Sequence, residues 1–152
     1  MGAVTDKSLC RSILLSCQEL LVPGGIRSLA DRDVRCELPI FRDGELLNRP
    51  DHPYIGRYTG DEDTRRKPAY HNGTAWTWMF PSFCEAEVMV YGDAVRRTAL
   101  ALLSSASVPM NEGCLLHVPE IMDGDAPHTP KGCAAQAWGA TEIYRVWKKI
   151  EG

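Results

Sequence analysis

The sequence predicts an all-α fold whose helices are connected by two long irregular loops. In three separate segments, apolar residues recur at steps of three and four, which is the period of a helix that buries one face, and a fourth, aromatic segment predicts one more helix. Only one short stretch is typical of strands. The 152 residues, of which 44% are apolar, fit one ordinary domain. Loops of this length on a helical scaffold often carry a functional site.

The first predicted helix begins after Asp6, a typical capping residue, and ends at Pro23-Gly24-Gly25. The next segment, residues 26–75, is rich in Gly, Pro, Asp and Arg and shows little periodicity. Within it, residues 40–47 predict a hairpin because Asp43-Gly44 supplies a two-residue turn. The apolar stripe of the first helix consists of Leu9, Ile13, Cys17 and Leu20.

Three more helices are predicted in the second half of the chain. An aromatic helix runs from about Trp76 to Tyr91 and starts near Phe80 or is kinked there, because Pro81 is tolerated only close to a helix start. A second apolar stripe ends before Pro109 and comprises Val95, Ala99, Leu102, Leu103 and Ala106. After an irregular loop over residues 111–132, the last helix spans about residues 134–150. Its apolar face consists of Ala140, Ile143, Val146, Trp147 and Ile150.

Composition excludes several classes of function. Seventeen Lys and Arg against twenty Asp and Glu give a net charge of −3, so the chain has no basic excess for a nucleic-acid partner. No apolar run approaches the ~20 residues of a membrane span, and the N-terminal residues lack an export signal, which predicts a cytoplasmic protein. Six cysteines without a CxxC pair predict reduced thiols, and the isolated Cys114 and His117 do not predict a metal site.

The first chemically unusual cluster covers residues 54–58 and 69–78, where aromatic rings alternate with Arg, His and Asn side chains. Sugar rings stack on aromatic faces while planar polar side chains bind the hydroxyl groups, so this mixture favours a polyhydroxylated ligand. A packed loop in which Trp76 and Trp78 anchor the core is the alternative.

The second cluster covers residues 118–138 and contains one carboxylate of interest. Glu120 stands between Val118 and Ile121, so we expect it to be partly desolvated and suited to proton transfer. A carboxylate that caps a helix or pairs with Arg is the alternative. The nearby Asp123 and Asp125 have the spacing of the first two ligands of a calcium-binding loop. The next ligand position is a proline, so the sequence does not predict a calcium site.

In order along the chain, several stretches resemble the C-terminal glucosidase domain of glycogen debranching enzymes, the amylo-α-1,6-glucosidase family. The resemblance runs from about Leu9 to the C-terminus and is interrupted by an apparent insertion at about Val34 to Asp51. The matching stretches are Gly25 to Leu29, Tyr54 to Gly60, Ala69 to Thr74 with Trp76 and Trp78, Pro119 to Ile121, Asp123 to Asp125, Pro127-His128, Gly132-Cys133 and Gln136 to Trp138.

This resemblance implies that residues 1–152 are the C-terminal part of one glucosidase domain. The implied architecture is a partial (α/α)6 toroid, about the last four of its twelve helices, with a small β-hairpin. The implied reaction is hydrolysis of the single α-1,6-linked glucose at a trimmed glycogen branch by an inverting mechanism, in which one carboxylic acid protonates the leaving oxygen and a second carboxylate activates water. No metal or organic cofactor is implied.

By motif match, Glu120 is the expected general base. The expected substrate-binding residues are His71, Asn72, Trp76, Gln136 and Trp138, with Arg57, Tyr58 and Asp125 in positioning roles. In the family, the general acid lies in a Thr-Trp-Met-Asp stretch well upstream of the matching residues. Thr77 to Phe80 is superficially similar to that stretch, but a phenylalanine replaces the acid and the surrounding residues belong to the tryptophan motif. We therefore expect the chain to be inactive alone, with glycogen or an α-glucan oligosaccharide as ligand and an N-terminal companion chain or a homodimer as partner.

Two other functions remain open from the sequence. A non-catalytic α-glucan-binding module would use the aromatic cluster alone. A structural remnant would leave an apolar face such as Ile143, Trp147 and Ile150 in water. The hydrolase interpretation requires Glu120 to face the tyrosine, histidine and tryptophan cluster rather than a salt bridge pointing away from it.

Overall fold

The computed structural model describes residues 4–152, whose fold is mixed α/β, so the all-α toroid prediction is wrong. A five-stranded antiparallel sheet lies among the helices, and a separate two-stranded sheet forms the hairpin. The sequence pattern did not predict the sheet, because each of its strands is only two or three residues long. Such strands are too short to show the alternation that identifies a half-buried strand.

The four predicted helices are present among these residues, with shifted boundaries. They are α1 (Lys7–Gln18), α3 (Met79–Tyr91), α4 (Arg96–Ser104) and α6 (Ala137–Glu151). Asp6 caps α1 as predicted, since its Oδ1 accepts from the Leu9 N–H at 2.8 Å. Pro81 lies in the first turn of α3, where its missing N–H costs no hydrogen bond. Beyond α4, Pro109 lies inside a further turn, α5 (Ser107–Met110).

The large sheet is assembled from segments far apart in sequence. Its strand order is β1 (Leu21–Val22), β2 (Gly25–Arg27), β5 (Ala75–Trp76), β6 (Ile121–Met122) and β7 (Pro130–Lys131), with every neighbouring pair antiparallel. The turn between β1 and β2 uses Gly24 at φ +74°, a conformation that favours glycine. Two of the predicted irregular loops therefore contribute strands that pair with each other.

The hairpin predicted at residues 40–47 is confirmed. It consists of β3 (Phe41–Arg42) and β4 (Glu45–Leu46), joined by Asp43 and Gly44 at φ +50° and +83°. Residues 62–70 form helical turns that the sequence pattern did not indicate: a π-helical turn (Glu62–Arg66) followed by α2 (Lys67–Tyr70). Asp61 begins them, because its Oδ1 accepts from two backbone N–H groups, those of Asp63 and Thr64.

The main hydrophobic core lies where α3, α4 and α6 meet. Phe80, fully buried, is at its centre, and Val146 and Ile150 of α6 are buried against it. The predicted apolar face of α1 differs from the observed burial. Leu9 and Ile13 of α1 are 51% and 43% exposed, because Leu14 is the buried residue of that helix. The core consists of Phe80, Cys84, Ala99, Leu103, Ala106, Val146 and Ile150.

A buried ion pair ties α3 to α6. Glu85 is 4% exposed and accepts from Arg145 at 2.7 Å and from Lys149 at 2.5 Å. The hydrogen bond from Arg145, and then that from Lys149, hold the pKa of Glu85 below its usual range against the opposing effect of burial. The two cations reach Glu85 from successive turns of α6.

We expect Glu85→Gln to lower the free energy of unfolding by about 2 kcal/mol, because the cations lose a buried charged acceptor while remaining partly hydrated. Urea denaturation measures this change. Glu151→Gln, which removes an exposed pairing with Lys148, is the matched control and should change stability by less than about 0.5 kcal/mol. Because the folded-state pKa of Glu85 is lowered, its contribution should be present above about pH 4.5 and be lost as the pH falls through the folded value. Equal effects of the two variants would contradict the assignment.

His52 links two parts of the long loop that precedes α2. Its Nδ1 lies 2.8 Å from Asp33 and its Nε2 lies 2.9 Å from Asp31. The hydrogen bond with Asp33, and then that with Asp31, raise the pKa of His52 above its ordinary value of 6.5. A raised folded-state pKa means that this link stabilises the loop fully below about pH 6.5 and is lost as the pH rises through the folded value.

We therefore expect the imidazole of His52 to titrate with a midpoint above 6.5 in an NMR pH titration. Asp33→Asn should lower that midpoint, because the imidazole loses one of its two carboxylate partners. A wild-type midpoint at or below 6.5 would contradict the proposed link.

The described part of the chain, residues 4–152, contains six free cysteine thiols. Over the same residues, no cluster of three or more His, Cys, Asp and Glu side chains could hold a metal ion. None of the helices within this range has the length and apolar character that crossing a membrane requires.

Candidate functional site

The two unusual clusters of the sequence meet through the pairing of β5 with β6. Trp76 of β5 lies opposite Ile121 of β6, and because the strands are antiparallel, Glu120, the residue before β6, lies beside Thr77, the residue after β5. The backbone N–H of Thr77 and its Oγ1 both reach the Glu120 carbonyl, at 3.4 and 3.3 Å. The chain on either side of Glu120 is therefore fixed by the sheet and by a buried threonine.

The Glu120 carboxylate is held by two hydrogen-bond donors. The Tyr70 hydroxyl donates to Oε1, and the backbone N–H of Cys133 donates to Oε2 at 3.0 Å. Gly132, at φ +65°, allows this approach, since a Cβ there would lie 2.5 Å from Oε2. Within residues 4–152 Glu120 forms no ion pair, and its side chain is turned toward Tyr70, the geometry that the hydrolase interpretation requires.

An aromatic wall adjoins this carboxylate, and we define it as Tyr58, Tyr70, His71 and Trp76. The His71 and Trp76 rings are stacked, with centroids 5.4 Å apart and planes 5° apart. The Tyr70 ring meets both of them edge-on at 4.9 and 4.7 Å, and the Tyr58 ring lies 5.7 Å from it. Burial and the hydrogen bond to Glu120 raise the pKa of Tyr70, so its hydroxyl remains a donor at neutral pH.

Asn72 and Trp76 are also bound into the scaffold. The Asn72 amide Nδ2 donates to the Pro68 carbonyl at 2.8 Å, and the Asn72 carbonyl accepts from the Ile55 N–H at 2.7 Å. The indole N–H of Trp76 donates to the Tyr70 carbonyl at 3.1 Å, and the residue is 7% exposed. His71, by contrast, is exposed. Trp76 is therefore packed, as the core-anchor alternative expects, while His71 faces solvent.

Arg57, Tyr58 and Asp125 surround a buried carboxylate, Asp123. The Tyr58 N–H donates to Asp123 Oδ1 at 2.8 Å, and Arg57 lies 3.8 Å from Oδ2. Asp125 accepts from the Tyr54 hydroxyl at 2.9 Å. Its carboxylate contacts the backbone at Gly56, where a Cβ would clash. These contacts hold the loop after β6 against residues 54–58, so Arg57 and Asp125 act on the loop rather than on the carboxylate of Glu120.

Gln136 and Trp138 lie near the start of α6, apart from the aromatic wall. Trp138 is 50% exposed and stacks on Trp78, with centroids 4.2 Å apart. Gly139 next to it permits close contact with Thr77, because a Cβ would lie 2.7 Å from Thr77 Oγ1. The Gln136 side chain lines an apolar groove of about 450 Å³ along α6. Its Oε1 is buried and has no hydrogen-bond partner within the part of the chain that the structure describes.

Sequence reasoning missed three groups of this site. Tyr70 was part of the cluster but had no assigned role, although it is the side chain that contacts Glu120. Trp78 forms the pair with Trp138, and the Cys133 N–H supplies the second donor to the carboxylate. A backbone N–H donor cannot be identified from the residue type, because every residue except proline has one. The glycine that precedes Cys133 is the one local signal that the chain approaches something closely there.

Comparison with known proteins gives one match. A sequence model of the amylo-alpha-1,6-glucosidase family matches residues 44–145, a span that includes every candidate site residue named above. No curated protein and no solved structure matches the chain.

Proposed function

Because this chain belongs to the amylo-alpha-1,6-glucosidase family, a family of glycosidases related to glycogen debranching, we propose that it supplies the general base of an α-1,6-glucosidase site. Glu120 is that base, and the sugar at the cleaved bond lies against Glu120 and the adjoining aromatic wall. The observation that carries the proposal is the orientation of Glu120, whose carboxylate faces Tyr70 of the wall and forms no ion pair within the described residues.

The proposed step inverts the anomeric carbon. Glu120 removes a proton from a water molecule as the water oxygen bonds to that carbon, and the bond to the leaving oxygen breaks on the opposite face. A carboxylic acid gives its proton to the leaving oxygen. Each oxygen of Glu120 accepts one hydrogen bond from the protein and retains a lone pair for the water. Tyr70 and the Cys133 N–H thus orient the base and leave a lone pair on each of its oxygens free to accept from water.

In this proposal the acid comes from an N-terminal polypeptide of the family, in a Thr-Trp-Met-Asp stretch. The test combines the chain with such a polypeptide and follows glucose released from a phosphorylase limit dextrin. We expect β-glucose as the first product, detected by NMR, because inversion converts an α-linkage to the β-anomer. If the combination releases no glucose, or releases α-glucose first, the proposed mechanism is wrong.

Tyr70→Phe tests the positioning role of the phenol in the same assay. We expect kcat to fall about tenfold with little change in KM, because the base loses one of its two orienting hydrogen bonds while the ring remains in the wall. Tyr144→Phe removes a phenol from a side chain that is 64% exposed on α6 and should leave both constants unchanged. A rise in KM alone for Tyr70→Phe would mean that Tyr70 binds substrate instead of positioning Glu120.

A second candidate function, non-catalytic α-glucan binding, is favoured by the stacked pair of the half-buried Trp78 and the exposed Trp138. An exposed indole stacked on a second indole offers a flat apolar face to a sugar ring. Calorimetric titration of the chain alone with maltohexaose tests this candidate. Trp138→Ala should abolish the binding heat, whereas Trp147→Ala, at a similarly exposed tryptophan, should retain it.

A further inference from the structure

A groove of about 370 Å³ separates the β3–β4 hairpin from the helical segment 62–72. Phe41 and Arg42 line it on the hairpin side, and Lys67, His71 and Asn72 line the opposite side. The family match begins at residue 44, so β3 lies outside the matched span while the opposite side lies within it. The groove therefore combines a family element with one that the family model does not cover.

This groove shares His71 with the aromatic wall of the proposed catalytic site. The His71 ring belongs to the aromatic wall, where it stacks on Trp76 and meets the edge of Tyr70. The hydroxyl of Tyr70 in turn donates to Glu120. A chain-like ligand that lies along the wall from Glu120 consequently reaches the groove when it passes His71.

The groove lining suits an uncharged, polyhydroxylated chain. Phe41 is 63% exposed and offers an aromatic face. Asp63 accepts from Arg42 at 2.8 Å and from Lys67 at 2.6 Å, and Glu62 lies 3.6 Å from Lys67, so both cations at the groove are paired with carboxylates. Within residues 4–152, the ring nitrogens of His71 and the Oδ1 of Asn72 have no hydrogen-bond partner, which leaves them available to ligand hydroxyl groups.

The hairpin is held in a defined position, which a binding surface requires. The Arg42–Asp63 contact joins β3 to the π-helical turn. Asn48 closes the base of the hairpin, because its Oδ1 accepts from the Ile40 N–H and its Nδ2 donates to the Leu38 carbonyl, both at 2.8 Å. Phe41 is thus exposed on a fixed element and not on a free loop.

We propose that this groove binds an α-glucan chain and holds glucose units beyond the one next to Glu120. Phe41 stacks on one of these units, and His71 and Asn72 bind their hydroxyl groups. The inference rests on the proposed function, since it takes the ligand at Glu120 to be the end of such a chain.

Calorimetric titration of the full chain with maltose and with maltohexaose tests the groove. We expect the wild type to bind maltohexaose more tightly than maltose. Phe41→Ala should weaken maltohexaose binding about tenfold and leave maltose binding unchanged. Leu46→Ala is the matched control, because Leu46 is 44% exposed, lies opposite Phe41 on the same hairpin and does not line the groove. No binding by the wild type, no effect of Phe41→Ala, or equal losses in the two variants would overturn the proposal.

Failure of the groove and failure of the proposed function give different results. If Phe41→Ala has no effect on maltohexaose binding while Glu120→Gln still stops glucose release in the combined assay, the groove proposal alone is wrong. If Glu120→Gln leaves glucose release unchanged while Phe41→Ala selectively weakens maltohexaose binding, the catalytic assignment alone is wrong.

Discussion

Glu120→Gln is expected to reduce the rate of glucose release in the combined assay by about 10²-fold to 10⁴-fold, the range that one general acid or base contributes. The amide has nearly the shape of the carboxylate but cannot accept the proton of the attacking water. It also offers one oxygen where two donors, the Tyr70 hydroxyl and the Cys133 N–H, each need an acceptor. KM should change little, because the substitution leaves the aromatic wall in place.

The control for this substitution is Glu112→Gln, which makes the same change at an exposed loop glutamate that forms no ion pair within residues 4–152. Its rate should equal that of the wild type. Circular dichroism should show that both variants retain the helical signal. A lower rate of glucose release then reflects a slower hydrolysis step and not unfolding of the protein. A Glu120→Gln rate within a factor of about two of the wild type would remove Glu120 from the base role.

The largest expected loss of stability comes from Phe80→Ala. Phe80 is fully buried at the junction of α3, α4 and α6, and the truncated side chain would leave a cavity that the surrounding helices close only in part. We expect the free energy of unfolding to fall by about 3–5 kcal/mol. Thermal denaturation should show a midpoint lowered by about 6–20 °C, given about 2–4 °C per kcal/mol for a chain of this size.

Phe41→Ala is the matched control, since the same atoms are removed from a side chain that is 63% exposed. Its effect on stability should stay within about 0.5 kcal/mol. Similar losses for the two variants would mean that Phe80 does not form the centre of the core.

Local patterns explain which parts of the fold were predicted correctly. The apolar stripes of α4 and α6 lie within single segments, and the burial of Ala99, Leu103, Val146 and Ile150 follows their helical spacing. Ile150 is accordingly covered, whereas Trp147 on the same helix remains 43% exposed. The β3–β4 hairpin was predictable because its turn chemistry is contained in two adjacent residues.

The large sheet was not predictable in this way. Its strands carry too few residues for a period, and the pairing of β5 with β6 joins segments more than forty residues apart. Only packing decides such a register, because no local preference distinguishes one two-residue strand from another. The same reason applies to Asp123, whose burial beneath Tyr58 and Arg57 depends on a loop folding back over the sheet.

By itself, the sequence determined the four long helices, the hairpin and the loop that carries the candidate base, since each depends on neighbours along the chain. The tertiary structure decided that the protein contains a sheet and that Glu120 receives its hydrogen bonds from Tyr70 and Cys133. It also decided that Gln136 faces an apolar groove while His71 joins the wall to the hairpin. The sheet, the hydrogen bonds of Glu120 and the positions of Gln136 and His71 all arise from contacts between distant segments. The free energy of those contacts depends on the packing of the whole molecule, so no single stretch of sequence determines it.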